Sequence, residues 1–325
     1  MEDYFKSKRV LVTGATGLVG PWLLEDLIKK QAEVVCLIRD TVPESRFYKE
    51  KMYKKVTCAR GDISVYSDVE RIINEYEPEI IFHLGAQAIV GTANRSPLGT
   101  FESNIKGTWN VLEACRIHDS MVKSVVVASS DKAYGEQKKL PYTEDSPLIP
   151  SNPYDVSKSC TDMLSQSYGK TYHMPISISR CGNFFGGGDL NFNRIVPSTI
   201  KSAYHNEQPV IRSDGTYIRD YIYVKDAVSA YEVLAKQTEE KKFLGEAFNF
   251  SNEIQLTVLE MVEKILKVCG KENLKPIIQN KVSGEIKAQH LDASKARKLL
   301  GWKSEWGIDD GLKETVQWYS GFFKK

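Results

Sequence analysis

The stretch VLVTGATGLVG, residues 10–20, joins an apolar run to three glycines at the spacing GxxGxxG. An amphipathic pattern follows at WLLEDLIKK, residues 22–30, so the stretch predicts a strand, a tight turn and a helix. Glycine permits the turn and a close approach of the backbone to a pyrophosphate, and the helix start offers aligned N–H groups. We therefore expect a dinucleotide to bind here. The expected contacts are Gly14, Thr16, Gly17, Leu18 and Val19.

Short apolar runs alternate with helical patterns through the first half of the chain. The runs EVVCLIR (33–39), VTCARGD (56–62), EIIFHLGA (79–86) and VKSVVVASS (122–130) indicate strands. Strands that are nearly all apolar are typical of a parallel sheet that is covered by helices on both faces. The pattern predicts an α/β fold with a doubly wound parallel sheet of the Rossmann type.

The composition of the chain changes after Tyr172. Glycine and asparagine cluster in RCGNFFGGGDLNFN, residues 180–193, and shorter elements follow. We expect a dinucleotide-binding domain at residues 1–172, which carries the catalytic residues, and a smaller C-terminal α/β substrate lobe at residues 173–325. Some strands and helices of the second part are expected to return to the first domain.

Bulk composition argues against several classes of function. The 325 residues carry a formal net charge of +2, so no global field points to nucleic acid or to an anionic membrane. The apolar stretches are too short to span a bilayer, and the start MEDYFKSKRV has no apolar signal core. Six cysteines are scattered without metal-ligand spacing, so we expect neither disulfides nor a bound metal, and a cytoplasmic location.

The residues at the ends of the predicted strands indicate which dinucleotide binds and what contacts it. The second strand ends on Arg39, with Asp40 one residue later. A guanidinium there would face the 2′-phosphate of NADP, whereas Asp40 would hydrogen-bond the ribose of NAD. Arg39 therefore favours NADP, and Asp40 leaves NAD open. The remaining expected contacts are Asp62 and Ile63, beside the adenine, and Leu84, Gly85 and Ala86 at the end of the fourth strand.

An unusual polar group follows the fifth predicted strand. The run VVVASSDKAYG, residues 125–135, leads from an apolar core segment directly into Ser130, Asp131 and Lys132. The simple alternative is a strand tip that turns into solvent, where these residue types are common. A hydroxyl, an acid and a base placed side by side also suit proton transfer to and from a substrate.

A second chemical group occurs at YDVSK, residues 154–158. Tyr154 and Lys158 are four residues apart and so share one helix face. A free phenol has a pKa of about 10, which is too high for a base at neutral pH. We expect the Lys158 ammonium to lower the Tyr154 pKa, so that Tyr154 accepts a hydroxyl proton while a hydride leaves the same substrate.

Together these motifs resemble the extended short-chain dehydrogenases/reductases, in the nucleotide-sugar epimerase/dehydratase family. The matching segments run nearly end to end: TGATGLVG, GDI (61–63), HLGAQ, the N-x-x-GT of residues 104–108, SSDKAYG, YDVSK, RCGN (180–183), RDYIYVKD (219–226) and DASKARKLLGW (292–302). The resemblance implies a Rossmann fold, an NAD(P) cofactor and a nucleotide-diphosphate hexose substrate. It also implies a homodimer, formed when helices near 104–117 and 154–171 pair as a four-helix bundle.

The resemblance also assigns roles to individual positions. Ser130, Tyr154 and Lys158 match the family's catalytic positions. Cofactor contacts are implied for Gln87, Asn104, Ser129, Tyr154 and Lys158. Substrate contacts are implied for Gln87, Ser130, Asn183, Arg194 and Arg219, of which Arg219 would meet the nucleotide diphosphate. An arginine that such enzymes often place before a Gly-acid pair is missing, because Lys281, Val282 and Ser283 precede Gly284 and Glu285.

The pair Asp131-Lys132 separates the branches of this family. Its 4,6-dehydratases carry an acid/base pair here, commonly Asp-Glu, and Asp-Lys in the CDP-glucose branch, whereas 4-epimerases carry unspecialised residues. With HLGAQAIVG and SDKAYG, this pair makes the chain most similar to CDP-glucose and GDP-mannose 4,6-dehydratases. The segment RDYIYVKD follows the general pattern of the family, and the identity of the nucleotide stays open.

The implied reaction converts an NDP-hexose to an NDP-4-keto-6-deoxyhexose. Tyr154, with Ser130 and Lys158, would serve oxidation at C4. Lys132 would then remove the C5 proton while Asp131 protonates the departing C6 hydroxyl. Because Lys132 is a base only when unprotonated, we expect burial to lower its pKa. A 4-epimerase that uses only Ser130, Tyr154 and Lys158 is the alternative, and a non-catalytic NAD(P)-binding sensor is a remote one.

Overall fold

The computed structural model describes residues 4–281 and 285–324. The strands in these residues are β1 (Arg9–Thr13), β2 (Glu33–Ile38), β3 (Thr57–Arg60), β4 (Ile80–His83), β5 (Ser124–Ala128), β6 (Ile176–Cys181), β7 (Asn183–Phe185), β8 (Val210–Ile211), β9 (Ile218–Tyr223), β10 (Glu246–Phe250), β11 (Gln255–Thr257) and β12 (Ile277–Ile278). The largest sheet has seven strands in the order β3-β2-β1-β4-β5-β6-β10. Every neighbouring pair in it is parallel, so the predicted doubly wound parallel sheet is confirmed.

Helices cover both faces of this sheet. They are α1 (Gly20–Lys29), α2 (Arg46–Lys49), α3 (Tyr66–Tyr76), α4 (Val90–Arg95), α5 (Pro97–Phe101), α6 (Gly107–Ile117), α7 (Pro153–Thr171), α8 (Ile195–Tyr204), α9 (Val224–Glu239), α10 (Val258–Val268), α11 (Ser294–Leu300) and α12 (Ile308–Phe323). A π-helical segment, Glu102–Lys106, precedes α6, and a short 3-10 helix, Asp131–Tyr134, follows β5.

Alternation along the strands gives the sheet two apolar cores. Val10 and Val12 of β1 belong to the core on one face, and Leu11 belongs to the core on the other. Along β5, Val126 faces the first core, while Val125 and Val127 face the second. Successive side chains of a strand point to opposite faces, so a strand covered on both sides must be apolar at every position. This explains the continuous apolar runs in the sequence.

Parallel strands end at a common edge of the sheet, and this edge gathers the chemical motifs. The loops that follow β1, β2, β4 and β5 begin at residues 14, 39, 84 and 129. In open α/β sheets, ligands bind outside these carboxyl ends. The glycine turn, Arg39, the turn after His83 and the Ser-Ser-Asp-Lys segment therefore share one side of the molecule.

Part of the chain after residue 172 completes the large sheet. Strands β6 and β10 pair with each other at one edge, and α9 packs against β5 and β6. The other elements form a smaller unit, in which β7, β9 and β11 make a mixed three-stranded sheet and β8 pairs with β12. Helices α8, α10 and α12 pack together beside these strands. None of the helices in the described ranges has the length and apolarity needed to cross a membrane.

We predict that Gly169→Ala destabilises the protein, because the helix α7 lies directly against a backbone turn at this position. A Cβ added to Gly169 would lie 2.4 Å from both Cα and N of Gly245. Overpacking of this kind costs about 1–3 kcal/mol, which a lower thermal unfolding midpoint would reveal. Gly321→Ala in α12 is the matched control, since its Cβ would meet nothing within 4 Å and alanine favours helix. Equal midpoints for the two variants would contradict this account.

Candidate active site

The glycine turn after β1 has the geometry of a pyrophosphate cradle. Gly14 has a φ of +76°, and a Cβ there would lie 2.9 Å from the backbone of Leu84 and Gly85. A Cβ on Gly20 would lie 2.4 Å from the Gly14 carbonyl oxygen. At the start of α1, Val19 makes no side-chain hydrogen bond to the helix, Pro21 has no N–H, and the Trp22 and Leu23 N–H groups both donate to the Val19 carbonyl. These features fit the diphosphate of a dinucleotide, held by the turn from Gly14 to Val19.

The turn after β4 is fixed beside Gly14. The Gly85 N–H donates to Thr13 Oγ1 at 2.9 Å. Asn104, within the π-helical segment, accepts from the Gln87 N–H at 2.7 Å and donates to the Gln87 carbonyl at 3.0 Å. π-Helical segments are rare and often occur at functional sites. Asn104 thus holds the backbone of Gln87, at the end of the turn that carries the expected cofactor contacts Leu84, Gly85 and Ala86.

The Gln87 side chain is engaged within its own turn. Its Oε1 accepts from the Ile89 N–H at 2.7 Å, and its Nε2 donates to the Ile89 carbonyl at 3.1 Å. The expected contacts of this side chain with cofactor and substrate would replace these two bonds.

At the adenosine end, Arg39 lies one residue beyond β2. Its Nε donates to Asp40 Oδ2 at 2.7 Å, and both side chains are exposed. Asp62 shapes the turn after β3, because its Oδ1 accepts from both the N–H and the hydroxyl of Ser64. Ile63 is buried against the position of Gly107. All four expected residues therefore lie at the carboxyl edge, and Arg39 and Asp40 are paired with each other.

The Ser130–Lys132 turn brings three chemical groups together. The Ser130 hydroxyl accepts from the Lys132 N–H at 3.2 Å and donates to Asp131 Oδ1 at 3.0 Å. Asp131 is 2% exposed, and its Oδ2 has no hydrogen-bond partner among the described residues. A buried carboxyl oxygen without a partner is costly unless a ligand uses it. Asp131 thus has one oxygen held by Ser130 and one available for chemistry.

Lys132 is half-buried beside this carboxyl group. Its Nζ donates to the side-chain carbonyl of Gln289. Burial lowers the pKa of Lys132, and the nearby Arg219 acts in the same direction, while Asp131 opposes both. A lowered Lys132 pKa is what we expected for a base. An amine with a lowered pKa loses its proton more readily near neutral pH.

Tyr154 and Lys158 differ from expectation in one respect. Burial raises the pKa of Tyr154 to about 12, and the Arg194 guanidinium opposes this rise only in part. The expected lowering by Lys158 is therefore wrong for this structure. The Lys158 amine donates to the Ala128 carbonyl at 2.7 Å, and burial lowers its pKa to about 8. Desolvation disfavours the charged form of both groups, and it outweighs the opposing effects of Arg194 on Tyr154 and of Asp162 on Lys158.

A buried ion pair holds the helix that carries Tyr154. Arg180 of β6 donates to both carboxylate oxygens of Asp162 in α7, at 2.7 and 2.8 Å. It also donates to the Tyr134 hydroxyl at 2.8 Å, and that hydroxyl donates to Asn249 of β10 at 2.7 Å. The network therefore joins α7 to two strands and to the 3-10 helix that begins at Asp131.

His83 is buried next to the site, where it links neighbouring elements by hydrogen bonds. Its ring nitrogens lie 3.0 Å from Thr13 Oγ1 and 3.1 Å from Thr108 Oγ1. Burial, together with the nearby Lys158, lowers the pKa of His83 to about 3, so the imidazole is neutral. It joins β1, β4 and α6 just below the turn at Leu84.

The smaller unit faces the same site with the expected substrate-binding residues. Arg194 donates to Asp189 at 3.1 Å and to the Ala88 carbonyl at 3.3 Å, so it lies beside the turn after β4. Arg219 is 11% exposed in its side chain and contacts Glu285 at 3.4 Å. The Asn183 amide donates to the Asp220 carbonyl at 3.4 Å. Val282, Ser283 and Gly284, where the family's arginine is missing, lie outside the described residues.

The sequence analysis missed several residues that shape the site. Asp155, next to Tyr154, is 3% exposed, and burial raises its pKa to about 6. Its place inside the YDVSK motif, next to Tyr154, could have identified Asp155 as a residue of the site. Gln289 and Asn249 carry no such signal, because each is an isolated amide far along the chain from the catalytic motifs. Arg180 was noted only as part of the RCGN motif.

The family described as GDP-mannose 4,6 dehydratase matches residues 11–315. The chain belongs to this family. A relative, the CDP-glucose 4,6-dehydratase of Salmonella typhimurium, is 31% identical over 339 residues, which covers 99% of this chain and 93% of that protein. The resemblance that the motifs indicated is therefore confirmed at the level of the family.

Solved structures of the same fold include both branches. The UDP-glucose 4-epimerase of Thermotoga maritima, with UDP-glucose, matches with a TM-score of 0.88 at 27% identity, over 97% of this chain and 100% of that one. The dTDP-glucose 4,6-dehydratase of Bacillus anthracis, in complex with NAD, matches with a TM-score of 0.85 at 25% identity, over 97% of each chain. Overall shape is thus common to epimerases and dehydratases, and the site residues have to distinguish them.

We predict that Asp162→Asn strongly destabilises the protein, because it leaves the Arg180 guanidinium buried without an opposite charge. Removing one partner of a buried pair costs about 3–5 kcal/mol. Glu75→Gln is the matched control, since Glu75 pairs with Arg71 at 3.0 Å on the surface. Exposed pairs contribute less than about 1 kcal/mol. Denaturant unfolding of both variants measures the difference, and a similar loss in each would contradict the role of the buried pair.

Proposed function

We propose that this protein is a nucleotide-sugar 4,6-dehydratase that converts an NDP-hexose to an NDP-4-keto-6-deoxyhexose. The observation that carries the proposal is the juxtaposition of a buried acid, Asp131, and a base with a lowered pKa, Lys132, on the turn that begins at Ser130. Membership of the 4,6-dehydratase family and the relative in Salmonella support it. Elimination of water needs one proton removed and one supplied, and these two groups provide both.

The first half of the proposed reaction uses the residues on α7 and at the tip of β5. When bound, the nicotinamide dinucleotide accepts a hydride from C4 and returns it to C6. Tyr154 receives the C4 hydroxyl proton, and the Ser130 hydroxyl hydrogen-bonds the same oxygen. Tyr154 must lose its own proton beforehand, and the Arg194 guanidinium and the hydrogen bond with Ser130 both oppose the rise in its pKa and so favour the phenolate.

The second half uses Lys132 and Asp131. The ketone at C4 acidifies the C5–H bond, and the Lys132 amine takes that proton. The electron pair left on C5 forms the C5–C6 double bond as the C6–O bond breaks. Asp131, as the acid, donates a proton to the departing oxygen, which leaves as water. As the hydride returns to C6, the Lys132 ammonium gives a proton back to C5, which completes the 4-keto-6-deoxy sugar. Each positioned acid or base of this kind typically contributes about 10²–10⁴-fold in rate.

A 4-epimerase is the second candidate, and the match to the Thermotoga maritima enzyme favours it as a fold. That reaction needs Ser130, Tyr154 and Lys158, but it gives no role to the Asp131 oxygen that has no hydrogen-bond partner in the described part of the chain, or to the Lys132 amine with its lowered pKa. The non-catalytic sensor accounts for neither these groups nor the intact Tyr154 and Lys158. The dehydratase uses all of them.

The proposed cofactor is NAD or NADP, with Arg39 favouring NADP. The residues that would hold it are the turn from Gly14 to Val19, the loop at residues 84–87, and the strand ends at Arg39 and Asp62. Asp40 keeps one guanidinium nitrogen of Arg39 engaged and adds a negative charge beside the place of a 2′-phosphate. The choice between the two dinucleotides therefore depends on these two side chains.

The proposed assembly is a cytoplasmic homodimer that pairs α6 and α7 with their symmetry mates. These helices carry exposed apolar side chains, Trp109, Ile117 and Met163, with Leu98 nearby on α5. Burying such side chains in a four-helix bundle would remove them from water. All six cysteines are free thiols, which accords with a reducing compartment.

We predict that Asp131→Asn and Lys132→Met each abolish dehydration while permitting oxidation at C4. Neither variant removes Ser130, Tyr154 or Lys158, but each lacks a proton partner for the elimination, which should slow by roughly 10²–10⁴-fold. The enzyme is incubated with a panel of NDP-hexoses in deuterated water and the products are read by mass spectrometry. Loss of about 18 mass units with deuterium at C5 marks dehydration, and reduced nicotinamide absorbance should accumulate in the variants.

Tyr154→Phe is the control for this experiment, because it should abolish the reduced nicotinamide signal as well as dehydration. A wild-type product of unchanged mass, without deuterium at C5, would favour the epimerase and leave Asp131 and Lys132 as an ordinary strand tip.

We predict that Arg39→Gln lowers the affinity for NADP more than the affinity for NAD, and that Asp40→Asn does the reverse. A charge-assisted hydrogen bond to a phosphate is stronger than a neutral one, and a carboxylate repels the same phosphate. Denaturing the purified protein and identifying the released nucleotide, with titrations of both dinucleotides, tests this. Arg39 has no role in selection if its variant keeps the wild-type preference.

A further inference from the structure

Gln289 is an unexpected neighbour of the proposed base. Gln289 lies between β12 and α11 and is fully buried. Its backbone N–H donates to the Ile218 carbonyl of β9 at 3.2 Å. The Lys132 amine donates to its side-chain oxygen. The ammonium form of a lysine carries only donors, so the acceptor oxygen of the amide faces it. The amide Nε2 is buried, and a hydrogen bond between the Gln289 side chain and the Tyr142 hydroxyl opposes the rise in the Tyr142 pKa.

The charged groups around Lys132 come from several elements. Asp131 lies on its own 3-10 helix, Asp155 on α7, Arg219 on β9, and Glu285 in the segment that leads to Gln289. Asp131, Asp155 and Glu285 favour the ammonium form, while Arg219 and desolvation favour the amine. The group that directly accepts the Lys132 hydrogen bond, Gln289, is uncharged. A carboxylate in the same place would add a strong preference for the ammonium.

We propose that Gln289 is a positioning residue of the elimination step, which holds the Lys132 amine toward C5 of the sugar while stabilising its protonated form less than a carboxylate in the same place would. This rests on the proposed dehydratase function. An amine has two N–H groups and one lone pair. Donation of one N–H to Gln289 fixes the direction of the nitrogen and leaves the lone pair for the C5 proton. A neutral acceptor favours the ammonium over the amine less strongly than a carboxylate would, so the base stays more available near neutral pH.

The experiment compares Gln289→Glu, which keeps the shape and adds a charge, with Gln289→Leu, which removes the acceptor. The NDP-hexose of the panel that the wild type dehydrates is used in single turnovers across the pH range. Reduced nicotinamide absorbance follows oxidation at C4, and loss of about 18 mass units follows dehydration. Gln279→Glu is the matched control, because Gln279 is exposed and receives the same change of charge.

For Gln289→Glu we expect the rising limb of the dehydration profile to move up by roughly 1–3 pH units. A carboxylate raises the Lys132 pKa, so a higher pH is needed to form the amine. Oxidation at C4 should keep its wild-type rate, and reduced nicotinamide should accumulate at neutral pH and disappear at high pH. For Gln289→Leu we expect dehydration to slow by roughly 10²-fold without that upward displacement. Gln279→Glu should match the wild type in both steps.

Two results would overturn the proposal. One is a Gln289→Glu profile that coincides with the wild type. The other is an equal loss of both steps in the two Gln289 variants together with a lowered thermal midpoint, which a purely structural role predicts. Failure of the proposed function looks different, because then the wild type itself yields no dehydrated product from any sugar of the panel.

Discussion

The ion pair between Arg180 and Asp162 sets the positions of the catalytic groups. Both side chains are buried, at 2% and 0% exposure, and two short hydrogen bonds join them in a bidentate arrangement. Two desolvated charges are tolerable only with such geometry and with further partners, which Tyr134 and the Glu144 carbonyl supply. Through these contacts the helix with Tyr154 and Lys158 and the turn with Ser130, Asp131 and Lys132 are held against the same strands.

Ser130 connects the two halves of the proposed chemistry. Its hydroxyl bonds Asp131 and the Lys132 backbone, and it also hydrogen-bonds the Tyr154 side chain. All of these hydrogen bonds share the Ser130 oxygen atom. A proton transfer at Asp131 or Tyr154 therefore changes the strength of the other bonds to that oxygen. The short 3-10 helix keeps acid and base one residue apart, and their spacing follows from backbone geometry.

Much of the fold could be predicted from the sequence because β1 to β5 are covered on both faces, which leaves continuous apolar runs. Strands β6 and β10 were harder to place, because Arg180 and Asn249 interrupt them with buried polar groups that serve the ion-pair network. Helix α7 has a buried face of Ser157, Thr161, Asp162 and Ser165, so its orientation cannot be deduced from apolar periodicity. The predicted direction of the Tyr154 pKa shift was wrong for a related reason. The shift depends on how deeply the side chain is buried, and no local sequence pattern gives that burial. Gln289 lies 157 residues from Lys132 along the sequence and belongs to none of the motifs, so its contact with Lys132 could not be predicted.

The contact between Lys132 and Gln289 also has a mechanical meaning. Ser130, Tyr154 and Lys158 all belong to elements that pack on the seven-stranded sheet, so their mutual spacing is rigid. Gln289 belongs to a segment that is bonded to β9, on the smaller unit that faces that sheet across the substrate site. The same segment is also bonded to the loop between β5 and α7, because the Tyr142 N–H donates to the His290 carbonyl and the Asp292 N–H donates to the Tyr142 carbonyl, both at 2.9 Å. Gln289 is therefore held from both units at once, and the position of the Lys132 side chain depends on the contact between them.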